Sequence, residues 1–310
     1  MSREGPRSRI LEVGLYALLC LVWGSTWLVI KVGYGGLGPF NVAALRFLLA
    51  GALLSALIPV LRVSWPRGRT QWAVVTFVGL TLFAMDYGLI YWGEQYLESG
   101  LTAILFATLP LITIGCAHVY LDAEPLTWRK LAGTLLAFLG VVALFGDRLR
   151  LDPSKAGPML AIIASAFFAA VASVTSKRHG AGLHAAAINA PAMLVGGLAL
   201  AIVSLVVGDG FALPREATTW WAVAYLAVAG SVLAFLVYFS LLRTWSVTSL
   251  SFISVFTPAI ALVLGFVFLD ERPTRWTVLG AALILAGVTL ALTASPLPAA
   301  GTRGADRRSA

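Results

Sequence analysis

The chain has 310 residues, 59% hydrophobic and only 12% charged, with a mean hydropathy of +0.90 and a formal net charge of +8. A soluble domain carries about 25% charged residues, so this chain has too little polar surface to be covered by water alone. The balance excludes a soluble domain and a nucleic-acid footprint, and places the positive excess in loops on the cytoplasmic side of a membrane.

About 20 apolar residues in helical form cross the hydrocarbon core. Ten such segments are predicted, over 12–33, 39–61, 71–93, 98–121, 127–146, 157–177, 184–207, 219–242, 247–269 and 274–293. Residues 1–11 precede them as a basic cytoplasmic segment with Arg3, Arg7 and Arg9. The first apolar run continues past Trp23-Gly24-Ser25 without a small-residue cleavage site, so it is a retained span rather than a signal peptide. Turn and charge signals separate the segments, as in Gly35-Gly36-Leu37-Gly38-Pro39, Arg62 to Arg69 and Asp147 to Pro158. Residues 294–310 are rich in Pro, Ala, Gly and Arg and read as a disordered tail. Of the 22 basic residues, 14 fall on one side of this arrangement and six on the other. That bias puts both termini in the cytoplasm of a multi-pass protein of the cell (inner) membrane. Cys20 and Cys116 lie within apolar runs and read as packing residues rather than a disulfide framework.

The two halves of the chain resemble each other. With a shift of 148 residues, 110–131 and 258–279 agree at eight of 22 positions, among them Pro110/Pro258, Asp122/Asp270, Pro125/Pro273 and Trp128/Trp276. Trp72/Trp220 falls at the same shift. A half with five spans is odd in number, so the second half enters the membrane upside down relative to the first. The fold class expected is an all-α integral membrane protein of ten transmembrane helices in two inverted repeats, 12–146 and 157–293. Such repeats are typical of secondary transporters, whose substrate site lies near mid-membrane between the halves.

A charge inside the bilayer is costly unless paired or hydrated, so each one is a functional candidate. Lys31, Arg46, Glu94 and Glu98 come at similar depth near one end of segments 1 to 3. They form either an outer gate or a set of side chains reaching the headgroups, and Arg46 has the further option of capping a neighbouring helix. Asp86 lies eight residues before Glu94, about 12 Å deeper at 1.5 Å per residue. It suits a proton-coupling site, a partner for a cationic substrate, or a structural hydrogen bond. Trp23 and Trp27 share one face of segment 1, and Tyr87 and Tyr91 share one face of segment 3. Those faces line a cavity for flat or amphipathic solutes, or else serve helix packing and interfacial belts. Pro110 and Pro258 kink matching helices of the two halves. Ser25, Thr26, Thr108, Ser173, Thr175, Ser254 and Thr257 are in-span hydroxyls that either meet substrate or bond the backbone one turn back. Gly24, Gly88, Gly100, Gly115 and Gly265 permit close helix approach. The candidates are then Trp23, Ser25, Tyr87, Tyr91, Pro110 and Pro258 for substrate, and Asp86, Glu94, Lys31 and Arg46 for coupling or gating. His118, His179 and His184 form no metal-ligand pattern and no phosphate-binding loop is present, so neither catalytic residue, metal nor cofactor is expected.

These motifs together resemble the drug/metabolite transporter superfamily in its ten-helix EamA-type branch. The resemblance is carried by Trp23-Gly24-Ser25-Thr26 with Lys31, by Ala44-Leu45-Arg46-Phe47, and by the mid-helix prolines followed by Asp122-Ala123-Glu124-Pro125 and Asp270-Glu271-Arg272-Pro273. Leu279-Gly280 and Ala286-Gly287 add to it. It covers residues 12–293, and it departs in having no counterpart of Arg46 in the second half. It implies secondary active transport, often export, of small metabolites or drug-like solutes by alternating access. The partners it calls for are a small-molecule substrate and the lipid bilayer, with no nucleic acid; a homodimer is left open. A lipid flippase-like carrier shares the architecture, and a membrane-embedded lipid-modifying enzyme would need a cluster of interfacial acids or histidines.

Overall fold

The computed structural model describes residues 6–144, 146, 152–180, 182–260 and 274–293, with side chains from residue 9 onward. The expected tail, the Asp270-to-Pro273 motif, Gly265 and the far part of the ninth segment lie outside the described residues. Among the described residues there is no strand, and ten helices follow in chain order. They are α1 (Pro6–Gly33), α2 (Pro39–Val60), α3 (Arg69–Glu94), α4 (Ser99–Tyr120), α5 (Trp128–Leu144), α6 (Pro153–His179), α7 (Ala185–Val206), α8 (Ala217–Thr244), α9 (Val247–Ile260) and α10 (Arg275–Thr293). Eight of them are long and apolar enough to cross a membrane. The exceptions are α5, with 17 residues, and α9, described only as far as Ile260. The first helix begins at Pro6 rather than at 12, because nothing between Pro6 and Glu12 breaks it. Pro39 opens α2 immediately after Gly38, a position where a missing N–H costs nothing.

Two helix pairs form the frame, and glycine decides both. A Cβ on Gly133 would lie 2.6 Å from the carbonyl oxygen of Gly287, and one on Gly140 would lie 2.8 Å from that of Gly280. Thus α5 and α10 cross antiparallel with their backbones in contact. The second pair is α2 with α7, where Gly51 faces Leu194 and Gly197 faces Leu48. Without a hydrophobic drive between helices in lipid, such close approach supplies the packing energy. Of the glycines expected to permit close approach, a Cβ on Gly24 would lie 3.2 Å from Ile260 and one on Gly88 3.1 Å from Leu200, whereas no described residue lies within 4 Å of a Cβ on Gly115. One apolar cluster fills the space among α1, α2, α3, α6, α7 and α8. A smaller one joins α4, α5, α9 and α10 around Ile104, Val141, Phe252 and Ile284.

Two of the long helices are not regular. Gly79–Asp86 in α3 and Val228–Leu233 in α8 are π-helical, and these stretches correspond within a residue at the 148-residue shift. A π turn adds a residue and leaves a carbonyl without its usual partner; such turns are frequent at functional sites. In α4 the helix breaks at Ala107 and Thr108, just before Pro110, whose missing N–H removes the bond to the Phe106 carbonyl four residues back. In α9 the break falls at Phe252, six residues before Pro258. The Ser254 carbonyl that Pro258 cannot reach accepts from the Thr257 hydroxyl at 3.2 Å.

Candidate functional site

A central cavity is walled by α1, α3 and α4 of the first half and α6, α8 and α9 of the second. Residues 148 apart meet across it: Tyr87 and Phe235, Ile90 and Tyr238, Phe106 and Ser254, Leu109 and Thr257 all line the same space. The Tyr87 and Phe235 rings lie 6.1 Å apart, edge to face. Trp23 packs on Phe235 at 5.3 Å and on Tyr238 at 5.5 Å, and Trp27 lies 5.6 Å from Phe106. The wall is therefore aromatic on several sides, with rings in edge and tilted contact with one another.

Among the described residues one carboxyl group lines this space. Asp86 is 2% exposed, sits at the last position of the π stretch of α3, and its Oδ1 has no hydrogen-bond partner. The Arg46 guanidinium is the cation near it, and the Ser165 hydroxyl on α6 donates to the Ile162 carbonyl at 2.7 Å. Arg46 itself is fully buried, and its hydrogen bonds go elsewhere. It donates from Nε to Ser231 Oγ at 2.9 Å, from Nη2 to the Gly230 carbonyl at 3.1 Å and from Nη1 to the Tyr91 hydroxyl at 3.3 Å. Its guanidinium also lies 4.7 Å from the centre of the Tyr87 ring. The Trp23 indole N–H donates to the same Gly230 carbonyl at 3.3 Å, and Asn189 donates to the Phe235 carbonyl at 3.1 Å. Donors from α1 and α2 thus converge on the irregular stretch of α8, and a donor from α7 meets the helix just after it. Arg46 thus donates into the π stretch of α8 rather than to a helix end.

The other sequence candidates separate. Trp23, Asp86 and Tyr87 line the cavity. Tyr91 is fully buried one turn away, its hydroxyl held by Arg46 and its carbonyl accepting from Tyr34 at 2.7 Å. Ser25 turns to the far side of α1, where it bonds the Val22 carbonyl and the Tyr225 hydroxyl. Pro110 and Pro258 are buried one residue behind the lining Leu109 and Thr257. Lys31 donates to the Leu97 carbonyl at 2.6 Å. Glu94 is fully buried with neither carboxylate oxygen bonded, and Glu98 is exposed. The four charges thus occupy three different environments. Phe106, Phe235 and Tyr238 were not among the sequence candidates, although the 148-residue shift from Tyr87 lands on Phe235.

At the end of the bundle carrying the α4–α5 turn, contacts join the halves. Glu124 accepts from the backbone N–H groups of Val247 at 2.8 Å and Thr248 at 3.2 Å, and from the Thr248 hydroxyl at 2.9 Å. It caps the start of α9 from the opposite half, satisfying donors a helix start leaves free. Glu12 accepts from the Trp245 indole at 2.9 Å. Tyr16 stacks on Trp245 at 5.2 Å and donates to the Ser249 carbonyl at 3.2 Å.

Such a bundle of long apolar helices around a cavity is the frame of a multi-pass membrane transporter. The EamA-like transporter family matches residues 11–146 and again residues 157–293, and the chain belongs to that family. It is 30% identical over 274 residues to the uncharacterized inner membrane transporter YedA of Escherichia coli, covering 86% of each chain. It is 25% identical over 272 residues to the uncharacterized transporter YoaV of Bacillus subtilis, covering 86% of this chain and 92% of that one. A probable terminal-alkyne amino-acid exporter of Streptantibioticus cattleyicolor is 29% identical over 284 residues, covering 90% and 93%. A solved crystal structure shares the fold with a TM-score of 0.77 at 22% identity, over 92% of this chain and 97% of that one. These matches point to a transporter and not to an enzyme.

Proposed function

We propose that the chain is a secondary active exporter of small organic solutes, working by alternating access of the central cavity across ten spans in two inverted halves. The observation that carries the reading is the cavity itself: the same three helices of each half wall it, and repeat-related residues meet across it. The antiparallel pairs α2–α7 and α5–α10 and the matched π stretches support an inverted relation of the halves. Asp86 and Glu94 are the proposed coupling groups, being buried acids with oxygens left unbonded. The Glu124 cap on α9 and the Glu12–Trp245 bond are contacts between halves that must part when that end opens. The named exporter among the relatives supports the direction.

Metabolite profiling of growth medium tests this. Cells producing the wild-type chain, the Asp86→Asn chain at equal membrane abundance, or no added chain are compared. Wild type is expected to enrich specific small solutes in the medium, and the variant to lose most of that enrichment. Identical media from wild-type and control cells would remove the export reading. Equal enrichment by the variant would remove Asp86 from the coupling role.

A further inference from the structure

The cavity's polar groups are unevenly matched. Five serine and threonine hydroxyls line it, and each donates its proton to the backbone of its own helix: Thr26 to Trp23, Ser173 to Ala169, Ser251 to Thr248, Ser254 to Ser251 and Thr257 to Ser254. A hydroxyl has one proton and two lone pairs, so each offers only acceptor capacity to a guest. The Tyr238 hydroxyl donates to Ser173 Oγ at 2.8 Å, and the Trp23 indole N–H is spent on Gly230. Asp86 adds Oδ1, buried and without a partner. Of the lining groups, only the Tyr87 hydroxyl and the Trp27 indole keep a proton not engaged among the described residues. Among the described lining residues acceptors outnumber donors, and the one carboxyl group is that of Asp86. The nearby Arg46 does not correct this, because its bonds go to Ser231, Gly230 and Tyr91.

A site of that kind favours a guest that brings donors and positive charge. An alkylammonium has three N–H donors and no acceptor. It makes a charge-assisted bond to the carboxylate and accepts the field of the surrounding ring faces. A carboxylate on the same guest brings acceptors and negative charge into a wall already supplied with both. Resting on the reading of this cavity as the transport site, we propose that its substrates are small organic amines with an aromatic or apolar body, and that Asp86 holds the ammonium group. The solute is then an amine without a free carboxylate, in preference to a zwitterionic amino acid.

Three probes share one ring and differ in the head group: phenethylamine, 2-phenylethanol and phenylalanine. Their dissociation constants are measured by calorimetry on the purified full chain in nanodiscs at neutral pH. Phenethylamine is expected to bind at least about tenfold more tightly than either other probe, a step worth about 1.4 kcal/mol. In Asp86→Asn that preference should vanish. Undetectable phenethylamine binding, equal or tighter binding of 2-phenylethanol or phenylalanine, or a preference that survives in the variant, would each overturn the proposal. Should the variant not fold, the wild-type series alone decides. Counterflow of the same radiolabelled probes in proteoliposomes separates the two readings. Movement of phenylalanine or 2-phenylethanol in preference to the amine removes the substrate class and leaves the transporter. Tight phenethylamine binding without counterflow of any probe leaves the amine site and removes transport through this cavity.

Discussion

Arg46 is as buried as any apolar residue around it, and its partners are a serine hydroxyl, a tyrosine hydroxyl and a backbone carbonyl. Guanidinium suits this task because its donors are fixed in a plane and reach several acceptors at once, which a lysine ammonium on a flexible stem does not reproduce. Ser231 relays the contact by donating onward to the Leu226 carbonyl, five residues back, at 2.9 Å. That spacing belongs to the π turn, so Arg46 and Ser231 together hold the irregular backbone in place. Arg46→Met is expected to lower stability by about 2 to 4 kcal/mol, the range for breaking a buried polar network. Arg46→Lys should recover less than half of that loss. Thermal unfolding in detergent measures both, and wild-type melting of Arg46→Lys would contradict the networked role. The position of Arg46 within an apolar segment was legible from the sequence. Its role was not, because the carbonyl it satisfies belongs to a residue 184 positions away and is released only by a π turn that no local pattern announces.

At the scale of elements, glycine position separates packing from surface. On α5 and α10, Gly133, Gly140, Gly280 and Gly287 are spaced by two turns on each helix and meet in antiparallel pairs. A methyl group added at Gly140 would lie 2.7 Å from the Ile284 nitrogen and 2.8 Å from the Gly280 carbonyl oxygen, so the helices would have to separate. Gly140→Ala is therefore expected to destabilise by about 1 to 3 kcal/mol, as overpacking does. Gly115→Ala should do the opposite, because no described residue lies within 4 Å of its added carbon and alanine restricts the unfolded chain; a gain of up to about 1 kcal/mol is expected. Melting temperatures of the two variants should move in opposite directions, and a shared direction would undo the packing argument. The sequence placed both glycines inside helices but did not distinguish them, since a glycine's neighbours across a crossing are set by the partner helix.

For the whole molecule, the ten spans proposed above would place both termini on the same face. Alkaline phosphatase fused after residue 293 should be inactive and green fluorescent protein at the same point fluorescent, since both ends are proposed to be cytoplasmic. Active phosphatase with a dark fluorescent fusion would mean that the count or the orientation is wrong, with α5 or α9 the first places to look because they are the shortest described helices. Apolar run length determined the succession of helices from the sequence, because the hydrocarbon thickness demands a nearly constant length. The 148-residue shift determined the related halves, and the cost of charge in lipid singled out Asp86, Arg46 and Glu94. Only the tertiary structure decided which sides of those helices look inward. In lipid both the outer and the packed side of a helix are apolar, so the sequence carries little of the one-sided pattern that marks a buried face in water. Trp23 and Ser25 are two residues apart, yet one lines the cavity and the other bonds Tyr225 away from it, and that difference arises from where α8 and α9 cross α1.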